Sequence, residues 1–167
     1  VNFTGFNSDG NNLTTLFPNW SEGSGQPAPS GTTSTWTSQT GVGSSGNVTA
    51  RVNLYTTSRK EWIIGPKFTA TASTQLAYDI AVTDWNSTTA SDVMGSDDSV
   101  SVMISTDCGG TWNYLRSFTA ADALTTTLTP YTESLGTYAG QQVIVAFLAT
   151  DGPVDDANDY DVHLDNI

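Results

Sequence analysis

The groups in this chain best suited to chemistry are oxygens. Seventeen Asp and Glu stand against five Lys and Arg and one His, for a net charge of −12 and an isoelectric point near 4.1. The acids cluster where turns are expected: Ser8-Asp-Gly-Asn-Asn12, Ser96-Asp-Asp98, Asp155-Asp156 and Asp159-Tyr-Asp161. Calcium takes six to eight oxygen ligands, backbone carbonyls among them, so loops of this kind suit Ca2+. No stretch matches the twelve-residue loop of an EF-hand. Any one cluster also reads simply as a solvated turn, but a charge this negative makes a compensating cation physically attractive.

A second kind of chemistry is stacking. Trp85 lies in Thr83-Asp-Trp-Asn-Ser-Thr88, just after an apolar strand pattern and at the start of a long polar segment. An indole there presents a flat apolar face to a sugar ring, with Asp84 and Asn86 at its edge to bond hydroxyls. Tyr160, between Asp159 and Asp161, is a second candidate of the same type. The bland alternative is an indole folded back over the end of a sheet.

Catalysis has less support. Glycoside hydrolysis needs two carboxylates at a set separation. The three Glu, at 22, 61 and 133, do not form the Glu-x-Asp-x-x-Glu pattern of jelly-roll glucanases. His163 stands between Asp161 and Asp165 on a strand pattern, facing away from Val162 and Leu164, and there is no Gly-x-Ser-x-Gly elbow for acyl transfer. Five cations leave little for neutralising phosphates, so nucleic acid is excluded as a partner and an anionic membrane surface is disfavoured. No apolar run has the length of a membrane span. The lone Cys108 excludes an internal disulfide and a multi-thiolate metal site.

The elements that must position these groups are strands. Period-two alternation marks Gln75–Val82, Ser99–Ser105 and Tyr160–Ile167, and the nearly continuous apolar run Gln142–Ala149 suits the centre of a sandwich. Trp62–Phe68 is shorter, with Pro66 demoting its end to an edge or bulge. Polar connections are expected at 21–35, 38–47, 84–96 and 151–159. Residues 120–124 offer at most one turn of helix. The fold class is all-β, an antiparallel β-sandwich of the jelly-roll kind.

Ser105-Thr-Asp-Cys-Gly-Gly-Thr-Trp112 resembles the Asp-box hairpin repeated around sialidase propellers. It occurs once, and the chain has no internal period, so it is expected to be a structural hairpin in a different fold. In order along the chain, Phe17-Pro-Asn-Trp20, Trp36, Glu61-Trp-Ile-Ile-Gly-Pro66, Asp98-Ser-Val-Ser-Val102 with that hairpin, Tyr138-Ala-Gly-Gln-Gln-Val-Ile-Val-Ala-Phe147 and Leu164-Asp-Asn-Ile167 resemble the choice-of-anchor J, or cleaved-adhesin-like, domains of secreted Bacteroidetes proteins, which are MAM-like in shape. Two places depart from that pattern: Cys108 in the turn, and Phe3-Thr-Gly-Phe6 without the acidic residue often found there.

The resemblance implies a non-catalytic jelly-roll module of an adhesive or polysaccharide-degrading protein, with calcium in some members and glycan binding in related sandwiches. It also implies that the first and last strands meet. That brings Asp9 and Asn11 toward Asp165, with Asp98 approaching from another strand end, as a calcium ligand set. The expectation is therefore a single module over residues 1–167, excised from a larger secreted or cell-surface protein and monomeric. It holds structural Ca2+ and binds a neutral or weakly charged polysaccharide or oligosaccharide through Trp85, Asp84, Asn86 and Tyr160. Strongly sulfated or uronate-rich glycans are disfavoured by the net charge unless calcium bridges them. A protein-contacting adhesion domain is the alternative, and a glycan-acting enzyme the third reading.

Overall fold

Alternation brings two sheets together. A computed structural model of the chain describes residues 3 and 16–167. In chain order its strands are β1 (Ser21–Ser24), β2 (Thr37–Thr40), β3 (Val48–Leu54), β4 (Lys60–Ile64), β5 (Phe68–Thr69), β6 (Gln75–Asp84), β7 (Ser99–Ser105), β8 (Asn113–Phe118), β9 (Thr129–Ser134), β10 (Gln142–Thr150) and β11 (Tyr160–Asp165). One antiparallel sheet runs β1-β4-β10-β7-β8, with β5 also on β10, and the other runs β2-β3-β11-β6-β9. The fold is an antiparallel β-sandwich with the chain passing repeatedly between sheets, as expected of a jelly roll. Residues 120–122 and 136–138 each make one 3₁₀ turn.

The strands expected from alternation form close to their expected limits. Two segments expected to be connections contain strands. Ser-Glu-Gly-Ser of β1 pairs with β4, with one further bridge from Ser24 to Ser30, and Thr-Ser-Gln-Thr of β2 pairs with β3. Among the described residues both lie at sheet edges, where backbone pairing alone suffices and no apolar stripe is needed. The Trp62–Phe68 pattern divides at Gly65-Pro66-Lys67. Gly65 N–H still reaches the Val145 carbonyl at 2.8 Å, but Pro66 has no N–H to continue the ladder, and pairing resumes at Phe68.

Between the sheets, Val52, Leu54, Ile80, Val82, Val102, Ile104, Val145, Val162 and Leu164 are buried. At one end an aromatic wedge fills the gap. Tyr78 meets Phe147 edge-on at 5.2 Å, and Phe118 meets Tyr131 at 4.8 Å. Each fully buried side chain of this size contributes about 1.5–3 kcal/mol. The first sheet also has an apolar outer face, where Trp62, Met103, Ala146 and Leu148 lie buried with Trp112 packed against them. Hence β10 is apolar on both sides. Trp20 and Trp36 are buried in the main core, as expected of tryptophans that serve packing.

Candidate functional site

The outer face of the second sheet carries the candidate site. On β11 the residues that turn away from the core are Asp161, His163 and Asp165, and on β3 they are Thr49, Arg51 and Asn53. The register pairs Asp161 with Asn53 on one side and Thr83 on the other. One position further out come Tyr55, Asp159 and Trp85, and the Trp85 N–H donates to the Asp159 carbonyl at 3.0 Å. Tyr55 and Trp85 are 45% and 52% exposed, so two aromatic rings stand on either side of Asp159.

Trp85 sits on an anchored turn. Ser87 N–H donates to the Asp84 carbonyl at 3.0 Å and Asp84 N–H to the Ala90 carbonyl at 2.9 Å. Asn86 adopts φ 54°, a conformation Asn tolerates, and its N–H donates to Asp161 Oδ2 at 3.0 Å. Thr83 Oγ1 donates to the Ser87 carbonyl at 2.9 Å. The indole is thus displayed by a fixed backbone. Asp84 and Asn86 are exposed beside it.

Between the two rings is an open cleft of about 410 Å³, in the size range of small-molecule sites. Arg51, Asn53, Asp159, Thr35 and Arg59 line it together with the rings. Asn53 Nδ2 donates to Asp159 Oδ1 at 2.7 Å, and Arg51 Nη2 lies 2.7 Å from Asp161 Oδ1. Burial raises the pKa of the Asp161 carboxyl, and the Arg51 guanidinium pulls it back. The Arg59 guanidinium lies 4.7 Å from the centre of the Tyr55 ring. Sequence reading found Trp85 but did not gather Arg51, Asn53 and Tyr55 beside it. The signal was present: in Arg51-Val-Asn-Leu-Tyr55 these three alternate with the apolar Val52 and Leu54.

His163 is wholly buried on this face, with Nδ1 3.1 Å from Thr49 Oγ1 and Nε2 2.9 Å from Thr83 Oγ1. Burial, with the Arg51 charge nearby, pushes its pKa down to about 3. It is neutral and occupied on both nitrogens.

Tyr160 does not join the surface. Its side chain is fully buried on the core side, and its hydroxyl donates to Asp98 Oδ2 at 2.8 Å. The same period-two pattern that puts Val162 inside puts Tyr160 inside. Burial and the Asp98 carboxylate raise the pKa of this phenol strongly.

The acidic residues expected to share a calcium ion are separated. Asp98 meets the start of β11, whereas Asp165 is at its other end, about 16 Å away along the strand. Asp165 there accepts from Asn47 Nδ2 at 2.9 Å and Asn166 N–H at 2.8 Å. Asp9 and Asn11 lie outside the described residues.

Asp98 belongs instead to a clasp between two loops. It accepts from Gly152 N–H at 2.8 Å, Asp97 accepts from Val154 N–H at 3.0 Å, and Asp156 accepts from Ser96 N–H at 2.6 Å. The carboxylate of Asp97 fills the space a Cβ on Gly152 would occupy, so a side chain at that position is excluded. Buried Asp151 accepts from Thr56 Oγ1 at 3.1 Å and Arg59 N–H at 3.0 Å, and its carbonyl accepts from Lys60 Nζ. Asp97 Oδ1 and Asp151 Oδ1 are buried with no hydrogen-bond partner. Burial raises the pKa of Asp98, and the charges of Asp151 and Asp97 raise it further. Among the described residues, no three His, Cys, Asp or Glu side chains are grouped so as to hold a metal by themselves.

No protein-family model matches the chain, and no curated protein sequence matches it. Among solved structures it is similar to the K1 cleaved adhesin domain of Lys-gingipain from Porphyromonas gingivalis, with TM-score 0.55 and 15% identity, covering 87% of this chain and 88% of that one. The glycoside hydrolase domain of Endo-D from Streptococcus pneumoniae gives TM-score 0.46 and 16% identity over 87% of this chain and 20% of that one. The xylan-binding module CBM15 gives TM-score 0.42 and 11% identity over 87% of this chain and 90% of that one. At this identity the likeness to the K1 domain is one of fold, and the shared fold is a two-sheet antiparallel sandwich.

Proposed function

We propose that the chain is a non-catalytic carbohydrate-binding module that holds a polysaccharide on the outer face of its second sheet. The observation that carries this reading is Trp85: a large indole, 52% exposed, fixed on a hydrogen-bonded turn beside a polar cleft. Burying such a ring would be favourable, and here the fold displays it. Sugar rings stack on flat aromatic faces while their hydroxyls bond to polar groups at the edge, and Asn53, Asp159 and Asn86 supply those. An open face of this kind favours several weak contacts over one deep pocket, so affinity is micromolar or weaker and grows with oligosaccharide length. His163 is too enclosed to serve as a general base. This role belongs outside the cell, consistent with the adhesin domain whose fold the chain shares.

Calcium is part of the proposal. Asp97 Oδ1 and Asp151 Oδ1, buried and without hydrogen-bond partners, are oxygens of the kind a hard cation takes, and either could serve as a ligand in the clasp. Backbone carbonyls would complete the shell, and the ion would supply charge compensation.

The test is affinity electrophoresis against a panel of polysaccharides, with Trp85→Ala as the control. Loss of most binding, at a melting temperature nearly that of the parent, is expected, because a half-exposed turn residue contributes little to the core. A large stability loss with binding intact would make Trp85 a packing residue. Function would then move to protein contact, for which the opposite sheet offers an apolar recess lined by Met103, Trp112 and Leu148 beside the exposed Tyr114.

A further inference from the structure

We infer that the glycan held on this face carries carboxylate groups, as isolated uronic-acid units on an otherwise neutral chain, and that Arg59 receives them. This rests on the carbohydrate reading above and specifies its ligand. With seventeen acidic residues to five basic ones, a surface cation in this protein is surrounded by potential partners. Arg51 takes Asp161, and Arg116 approaches Glu133 at 3.9 Å. Among the described residues no carboxylate pairs with Arg59, although it lines the cleft that holds Trp85.

Arg59 is also oriented. Its guanidinium rests on the face of Tyr55, 4.7 Å from the ring centre, and its backbone N–H is fixed by Asp151. Stacking on a ring leaves the edge N–H groups of a guanidinium free, and that edge matches a planar carboxylate through two parallel hydrogen bonds.

The spacing fits one chain spanning both groups. Trp85 follows β6 and Tyr55 follows β3, with β11 between them, so their backbones are separated by two strand spacings, about 10 Å. A ring stacked on Trp85 and a carboxylate reaching Arg59 then belong to nearby units of the same oligosaccharide. Whole-molecule charge sets the density of those carboxylates. A net charge of −12 repels a polyanion at long range, while one carboxylate in a neutral chain meets mainly the local guanidinium.

The experiment is titration calorimetry of the whole protein with matched oligosaccharides. Neutral β-1,4-linked hexasaccharides of glucan, mannan and xylan type are each compared with the same backbone bearing one uronate side unit, with its carboxyl-reduced form, and with a sulfated counterpart. For the backbone that binds, the uronate form is expected to bind about tenfold more tightly than the reduced form. That ratio should fall as salt rises, vanish in Arg59→Gln and be only partly retained in Arg59→Lys, which keeps charge but lacks the fork. Tyr55→Ala, which removes the support and leaves the guanidinium, should reduce it too. Equal affinity for uronate and reduced forms, with binding still dependent on Trp85, would overturn the inference and leave the carbohydrate reading standing. A preference for the sulfated form, or for an acidic peptide, would also overturn it. Absence of binding to every oligosaccharide would overturn both.

Discussion

Thr83 decides which nitrogen of His163 carries the proton. Its hydroxyl hydrogen goes to the Ser87 carbonyl, so Thr83 Oγ1 accepts Nε2–H, while the Thr49 hydroxyl, 3.1 Å from Nδ1 and 3.3 Å from the Gln39 carbonyl, has its one hydrogen to divide between those two acceptors. The neutral ring is satisfied. Burial, aided by Arg51, holds its folded pKa near 3, below the ordinary 6.5, so the unfolded chain binds a proton first. The stability this residue contributes is fully present above pH 6.5. It is lost as pH falls toward 3, at up to about 1.4 kcal/mol per pH unit. Asp98 and Asp161, whose pKa values are raised by burial, act in the opposite direction over the carboxylate range. Urea unfolding of the protein and of His163→Asn between pH 7 and pH 4 checks this: the variant should lose less stability over that interval, and equal slopes would exclude the assignment. Sequence placed His163 outward from Val162 and Leu164 correctly. It contained no sign that the turn carrying Ser87 lies across it, because that closure depends on long-range packing. Tyr160 was misplaced for a simpler reason: two flanking acids suggested the surface, while the alternation of the strand placed it inside.

At the scale of the element, the hairpin between β7 and β8 was the most legible part of the chain. Asp107 accepts from Thr111 N–H at 2.8 Å, Thr111 Oγ1 at 2.7 Å and Ser105 Oγ at 2.8 Å, and these bonds lower its pKa to about 2. Gly109 takes φ 91°, as the turn requires, and Cys108 takes φ 62° beside it. Trp112 closes the motif by donating Nε1–H to the Gly109 carbonyl at 3.1 Å and resting 5.2 Å from Trp62. It therefore covers the outer face of the first sheet rather than the sandwich end. Asp107→Ala should lower the melting temperature by a few degrees while leaving glycan affinity unchanged, since the hairpin and the Trp85 cleft are on different sheets. Loss of binding in a folded Asp107→Ala protein would show the hairpin to be part of the site. The strands that went unread, β1 and β2 above all, are short and polar, and their pairing comes from the backbone of β4 and β3, which leaves no apolar period to read.

Across the whole molecule, charge and topology set the remaining expectations. The excess of carboxylates was legible and argued against a nucleic-acid partner. Which carboxylates meet was not, because the clasp joins residues 95–98 to 151–156 across the fold. An ion that binds only the folded clasp stabilises it by mass action, about 2.7 kcal/mol at a hundred times its Kd. Calcium should therefore raise the melting temperature by roughly 5–10 °C over a chelated sample, and Asp151→Asn should abolish most of that difference. Equal melting temperatures with calcium and with chelator would remove the ion from the proposal. Topology has a further effect, on how the protein is made. β10 lies between β4 and β7, and β11 between β3 and β6, so the centre of each sheet is a strand that comes late in the sequence. A ribosome releases β1 to β9 first, and neither sheet can close around its missing middle. The nascent chain must hold open strand edges, prone to pairing with other chains, until β10 and β11 emerge. Both sheets then close only once β11 has left the ribosome, through long-range contacts that form slowly.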